Sequence, residues 1–142
     1  MMATKGTEIA EVRPNHDPEI VFLCGQIRET SPAIHRFLRH GHLERIYENA
    51  PVHRLRRLGR DVEQQHSIHA YDEDGTLLGD FFADLLVDGK LLVELKACRQ
   101  LADEHTAQVL GYLRASRIEH AMLINFGSPV IQFRKFILND KA

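Results

Sequence analysis

The sequence predicts one α/β domain, built in the order helix, three strands, helix, two strands. Over residues 20–58 the apolar positions recur every three or four residues, which is the helical period. After Gly59 the pattern changes to alternation and short apolar runs, which are typical of strands. The chain has 142 residues, of which 44% are hydrophobic and 27% charged. This suffices for one core and is too little for two domains.

The first third of the chain predicts a tail followed by helix. Residues 1–18 are polar, contain two prolines and have no apolar period, so we expect a flexible tail and a single domain over residues 19–142. Ser31 and Pro32 have the sequence of a helix start, with Ser31 as the N-cap. Pro51 is expected to kink or end a helix, because proline lacks the N–H that the helical turn requires.

The rest of the chain predicts five strands and one further helix. Five segments have strand features, and they cover residues 62–71, 77–87, 91–97, 120–126 and 130–138. The third is apolar on both faces, which predicts a central strand covered on both sides. A helical pattern over residues 103–115 separates the third strand from the fourth.

The cysteines and the apolar runs indicate a cytoplasmic protein with no membrane partner. Cys24 and Cys98 lie far apart and neither has a CxxC partner, which excludes a disulfide framework and a four-cysteine zinc site. No segment approaches the roughly 20 apolar residues of a membrane span. The first 20 residues also lack the apolar stretch of a signal peptide.

Positive charge is concentrated in one stretch, although the formal net charge is only -2. Residues 36–60 contain 7 arginines and 2 glutamates, so this stretch carries 7 − 2 = +5 and the remainder −7. A solvated helix face and a phosphate-binding patch both explain such a cluster. The arginines that would meet a nucleic-acid backbone are Arg54, Arg56, Arg57 and Arg60.

Three charged residues stand out within the predicted strands. Glu94 and Lys96 are two residues apart, so their side chains leave the same face of the strand. A buried charge without a partner loses several kcal/mol of hydration. Together with Asp84, the two could form a Mg²⁺ or Mn²⁺ site, because hard cations prefer oxygen ligands. A structural ion pair with Lys96 explains the same residues, and the sequence leaves both interpretations open.

The turn between the second and third strands separates these interpretations. If Asp88 and Gly89 formed a two-residue loop, Asp84 would pair with Val93 and lie on the face opposite Glu94. A three-residue connection, with Gly89 at or next to a left-handed position, would place Asp84 opposite Glu94 on one face. The metal-site hypothesis therefore predicts the three-residue connection.

Several short motifs occur in a recognisable order. They are Gly41-x-x-Glu44-x-x-Tyr47, the run from Gly79 to Val87, Val93-Glu94-Leu95-Lys96-Ala97, His105-x-x-Gln108-x-x-x-Tyr112, and Leu123 to Gly127. In this order they closely resemble the bacterial GxxExxY family, which is placed in the PD-(D/E)XK nuclease-like superfamily. The resemblance runs from Ile27 to Leu138. It implies a restriction-endonuclease-like core, in which helices flank a mixed sheet.

The resemblance also implies a set of site residues. Asp84 and Glu94 would be metal ligands, Glu44 of the first helix would reach the same metal, and Lys96 would be the catalytic lysine. Gln108 and Tyr112 would line the site from the second helix. Each of these last residues also has a simpler role: Glu44 as an exposed helix residue, Gln108 as a cap of a backbone group, and Tyr112 as a core residue.

Two functions follow from these observations. One is a Mg²⁺- or Mn²⁺-dependent nuclease that hydrolyses phosphodiester bonds of DNA or RNA, with the arginine cluster on backbone phosphates. The other is a non-catalytic, homo-oligomeric assembly or binding module on the same fold. We expect a homo-oligomer in either case, because the apolar strand at residues 130–138 could complete a sheet or an interface.

Overall fold

The protein is described by a computed structural model over residues 17–138. Its elements are α1 (Pro18–Leu38), α2 (Glu44–Arg57), β1 (Val62–Tyr71), β2 (Leu77–Val87), β3 (Leu91–Lys96), α3 (Asp103–Ser116), β4 (His120–Asn125) and β5 (Gln132–Ile137). The predicted order of elements is confirmed, with two helices where the sequence predicts the first helical region. The tail prediction lies outside the described residues for positions 1–16, whereas Asp17 caps α1 and Pro18 begins it.

The five strands form one sheet in the order β1-β2-β3-β4-β5. Neighbouring strands are antiparallel except for β3 and β4, which are parallel and are joined through α3. One face packs on α1 and α2, and the other packs on α3. The central position predicted for β3 is confirmed. None of the helices described between residues 17 and 138 is long and apolar enough to cross a membrane.

The helix start predicted at Ser31 is wrong, because α1 continues through Pro32 to Leu38. Ile27 and Ile34, on either side of the proline, are buried at 2% and 0% exposure, and this packing outweighs the helix bond that proline cannot make. The α2 helix likewise continues past Pro51, whose ring is itself buried.

The Gly-x-x-Glu-x-x-Tyr motif forms the connection between α1 and α2. Gly41 has a φ of 114°, a conformation that favours glycine. The hydroxyl of Tyr47 donates to the carbonyl of Arg39 and accepts from the His42 N–H at 3.2 Å. The Tyr47 ring is fully buried and stacks on Phe126 at 5.1 Å. The tyrosine therefore anchors this connection and fixes where α2 begins.

The β1–β2 hairpin changes face partway along its length. Val62 and its partner Val87 pack on the α1–α2 side, whereas Ile68 and its partner Phe81 pack on the α3 side. Residues 62 and 68 are an even number apart and would share a face in a regular strand. Gln65 lies between them with a φ of 53°, which breaks the alternation. The far half of the hairpin therefore lies over α3.

Close backbone packing fixes the carboxyl end of β3. The side-chain oxygen of Asn125 accepts from the N–H of Cys98 at 3.0 Å, and its amide donates to the Cys98 carbonyl at 2.9 Å. A Cβ atom on Gly127 would lie 2.4 Å from the backbone of Ala97 and Cys98, so only glycine fits there. These contacts hold the segment that follows Lys96.

Candidate active site

The β2–β3 turn is the three-residue connection that the metal-site hypothesis predicts. Val87 pairs with Leu91 and Leu85 pairs with Val93, which leaves residues 88–90 in the loop. Asp88 and Gly89 both have a positive φ, of 53° and 67°. Continuing this register by one residue places Asp84 opposite Glu94.

Asp84 and Glu94 each bond to the backbone of the opposite strand. The N–H of Asp84 donates to Glu94 Oε1 at 2.7 Å, and the N–H of Leu95 donates to Asp84 Oδ2 at 2.8 Å. The β2–β3 hydrogen-bond ladder ends at this point. Beyond it, the two carboxylates accept backbone N–H groups in place of the backbone carbonyls of a longer ladder. Each of the two strands therefore holds one acid in a fixed position.

Burial disfavours the ionised forms of both acids. Glu94 is only 4% exposed, and desolvation followed by the charge of Asp84 raises its pKa to about 8. Desolvation also raises the pKa of Asp84, with a smaller contribution from the charge of Glu48. The charge of Lys96 acts in the opposite direction without cancelling the effect of burial. Two neighbouring acids whose pKa values are raised by burial and by nearby negative charge are typical of functional sites.

Lys96 and two residues of α3 complete the site. The Lys96 ammonium donates to Gln108 Oε1 at 3.3 Å and forms no ion pair with either acid among the described side chains. Tyr112 is buried and stacks on Phe81 at 4.8 Å. Burial, together with the charges of Glu94 and then Asp84, raises the pKa of Tyr112 to about 12, which indicates that its hydroxyl lies near the carboxylates.

The α2 helix brings two acids toward the site, one of which the sequence analysis missed. Glu44 is exposed, and its charge acts on Glu94. Glu48 lies one turn further along and is connected to Asp84 through Gln65, whose amide donates to Glu48 Oε1 at 3.0 Å and to Asp84 Oδ1 at 3.3 Å. The i, i+4 spacing of Glu44 and Glu48 is the sequence signal that could have identified the second acid.

Two carboxylates fit a hard divalent cation, although the predicted trio does not form one cluster. Within residues 17–138, no three side chains of His, Cys, Asp or Glu are grouped as metal ligands, and Glu44 is not brought into contact with Asp84 and Glu94. Mg²⁺ is commonly bound by one or two carboxylates, with water and substrate phosphate as the other ligands. The described hydrogen bonds use only Oε1 of Glu94, which leaves Oε2 to bind such a cation.

The four arginines of the predicted phosphate patch have different surroundings. Arg56 donates to the Val62 carbonyl at 2.7 Å. Arg60 forms a 2.7 Å ion pair with Asp88. Arg54 and Arg57 line a groove of about 400 Å³ between α1 and α2. Arg56 and Arg60 therefore have structural partners, whereas Arg54 and Arg57 line the groove between the two helices.

Arg57 also lines a second groove, of about 430 Å³, and shares it with Arg56. Gln64 lines this groove too, and its amide donates to Glu48 Oε2 at 2.9 Å. Glu48 in turn contacts Gln65, which contacts Asp84. Hydrogen bonds through Gln64, Glu48 and Gln65 therefore connect the wall of this groove to Asp84.

A mixed sheet between helices, with Glu-x-Lys on its central strand and an aspartate opposite the glutamate, is the arrangement of a nuclease-like protein. A family model for the PD-(D/E)XK nuclease superfamily matches residues 22–136, and the chain belongs to this superfamily. Comparisons with curated proteins and with solved structures give no significant match. Superfamily membership indicates a nuclease-like function with a nucleic-acid substrate. The narrower GxxExxY assignment stays a prediction.

Proposed function

We propose that the protein is a metal-dependent nuclease that hydrolyses phosphodiester bonds of DNA or RNA. The observation that carries this proposal is the placement of a buried Glu94 opposite a half-buried Asp84, with no ion pair to either carboxylate among the described residues. Lys96 follows Glu94 by two residues, as the superfamily pattern requires.

Asp84 and Glu94 would hold Mg²⁺ or Mn²⁺ through carboxylate oxygens. When bound, such a cation stabilises the negative charge that develops on a phosphoryl oxygen and lowers the pKa of a coordinated water. Glu44 and Glu48 lie on the α2 side and would contact the cation through bridging water. Their negative charge would favour cation binding. The pKa of Glu94, raised to about 8, implies that cation binding near neutral pH displaces a proton from this ligand.

Lys96 would orient the attacking water and stabilise charge on the scissile phosphate. The ammonium bonds Gln108 and forms no ion pair with either acid among the described residues, so that its charge is available to the substrate. Gln108 acts as a positioning residue for Lys96. Arg57 would bind backbone phosphates in the two grooves that it lines, and Arg54 in the groove between α1 and α2.

A cleavage assay tests this proposal. Purified protein should cleave at least one of single-stranded DNA, duplex DNA and RNA in the presence of Mg²⁺ or Mn²⁺, and EDTA should abolish the cleavage. The double variant Asp84→Asn, Lys96→Ala should have no activity above background. Cleavage that survives in the double variant belongs to a contaminant, and the absence of cleavage by wild-type protein on all three substrates would contradict the proposal.

The alternative of a non-catalytic module rests on a structural ion pair. That interpretation expects Lys96 to bond a carboxylate, whereas its described partner is the amide of Gln108. We retain self-association as a prediction, because β5 forms an edge of the sheet, and light scattering would measure it. Cys24 and Cys98 are both free thiols, which favours a cytoplasmic location.

A further inference from the structure

A groove of about 580 Å³ lies between α3 and the far half of the β1–β2 hairpin. Its volume is within the range of about 300–1,000 Å³ that is typical of small-ligand sites. On the α3 side it is bounded by Ala107, Gly111 and Ala115, which recur once per turn and leave room above the helix. A Cβ on Gly111 would have no other atom within 4 Å, so the space next to it is open.

Aromatic side chains line the groove from the hairpin and the helix. Tyr71 is 61% exposed at the end of β1, where the register shifts between Ala70 and Tyr71. Both of these residues face the groove, in place of the alternation of a regular strand. Phe81 and Tyr112, stacked on each other, line the groove as well. An exposed aromatic ring beside an open slot is suited to stacking against a flat, apolar ring.

The groove is continuous with the candidate active site. Gln108, which bonds Lys96, and Tyr112, whose pKa responds to Glu94 and Asp84, are part of its lining. Arg114 adds an exposed cation to the lining. A ligand in the groove would therefore combine a flat ring with a phosphate group close to the acidic centre.

We propose that this groove binds an unpaired nucleobase next to the scissile phosphate, with its ring stacked on Tyr71. A base within a duplex is stacked and paired, so only single-stranded nucleic acid can supply one without unpairing. This inference rests on the proposed nuclease function and narrows its substrate to single strands.

Binding of a fluorescent 12-nucleotide single-stranded DNA, measured by anisotropy in EDTA at fixed salt, tests the groove without cleavage. Tyr71→Ala should weaken binding about tenfold, since one stacked base is lost, and Tyr71→Phe should retain wild-type affinity. Gly111→Leu, which fills the groove, should weaken binding to a similar degree. Thermal unfolding of each variant checks that it is folded.

Two matched variants serve as controls. Phe82→Ala removes a ring that is 53% exposed on the opposite face of the hairpin, and Gly25→Leu adds the same side chain to a helix glycine with equally open surroundings. Both should bind as wild type. If Tyr71→Ala and Gly111→Leu bind as tightly as wild type, or if the wild type binds no single-stranded DNA, the inference is overturned. The nuclease proposal is judged separately, by metal-dependent cleavage of single-stranded DNA, duplex DNA or RNA by the wild type, whatever the binding result.

Discussion

Lys96→Met is expected to lower kcat for metal-dependent cleavage by about 10²- to 10⁴-fold, the range associated with loss of one acid–base or charge-stabilising group. Methionine keeps the length and apolar stem of lysine and removes the ammonium. The change should leave Mn²⁺ binding intact, because Lys96 is not a ligand and bonds Gln108. Single-turnover kinetics at saturating substrate, together with Mn²⁺ titration of the same variant, measures both quantities.

Lys90→Met provides the matched control for this prediction. Lys90 lies in the β2–β3 loop, is exposed and pairs with Glu19. Its substitution removes the same charge without touching the site, so kcat should be unchanged. Equal losses of kcat in the two variants would mean that overall charge, rather than the position of Lys96, affects the rate.

Glu94→Gln is expected to stabilise the metal-free protein at pH 8 by about 2–4 kcal/mol. This figure converts the rise of the Glu94 pKa from 4.5 to about 8 and is reduced for the desolvation of the amide. Glutamine can still accept the N–H of Asp84 through its side-chain carbonyl. Urea unfolding in EDTA measures the free energy.

The pH dependence of stability follows from the same raised pKa. Below about pH 4.5, Glu94 is protonated in the folded and unfolded chains, and it makes no difference to stability. Between pH 4.5 and about 8 only the unfolded chain releases the proton, so folded stability falls as pH rises, and the loss is complete above pH 8. The gain of Glu94→Gln over wild type should therefore be near zero at pH 4 and largest above pH 8.

Glu73→Gln is the control for Glu94→Gln. Glu73 lies in the exposed β1–β2 turn, so this change should alter the free energy of unfolding little at any pH. A structural ion pair predicts the opposite result for Glu94. In that case Glu94→Gln would destabilise the protein, because the Lys96 charge would lose its partner. The sign of this single change therefore distinguishes metal ligands from a salt bridge.

Much of the fold could be predicted because it depends on local patterns, whereas the placement of Asp84 relative to Glu94 was left open by those patterns. The apolar run of β3 indicated a central strand, and the structure places it third of five. The sequence allowed a two-residue or a three-residue loop at Asp88 and Gly89. The two loops place Asp84 on opposite faces of the sheet. Because side chains alternate along a strand, the observed three-residue loop settles where Asp84 lies relative to Glu94.

The remainder depends on contacts between distant segments. The helices continue past Pro32 and Pro51 because neighbouring residues are buried, a tertiary effect that local propensity does not contain. Arg60 pairs with Asp88, 28 positions away. Glu48 is connected to Asp84 through Gln65, whose positive φ interrupts the side-chain alternation of β1. No periodicity predicts such an interruption.

Calorimetric titration with Mn²⁺ tests the central claim, that Asp84 and Glu94 form a metal site, and requires no assumption about the substrate. The wild type should bind Mn²⁺ saturably and release a proton on binding at pH 7, because the Glu94 pKa is about 8. Asp84→Asn and Glu94→Gln should each abolish binding, and Glu73→Gln should bind as wild type. Binding that persists unchanged in both site variants, or an absence of wild-type binding even with a non-cleavable phosphorothioate oligonucleotide present, would contradict the account.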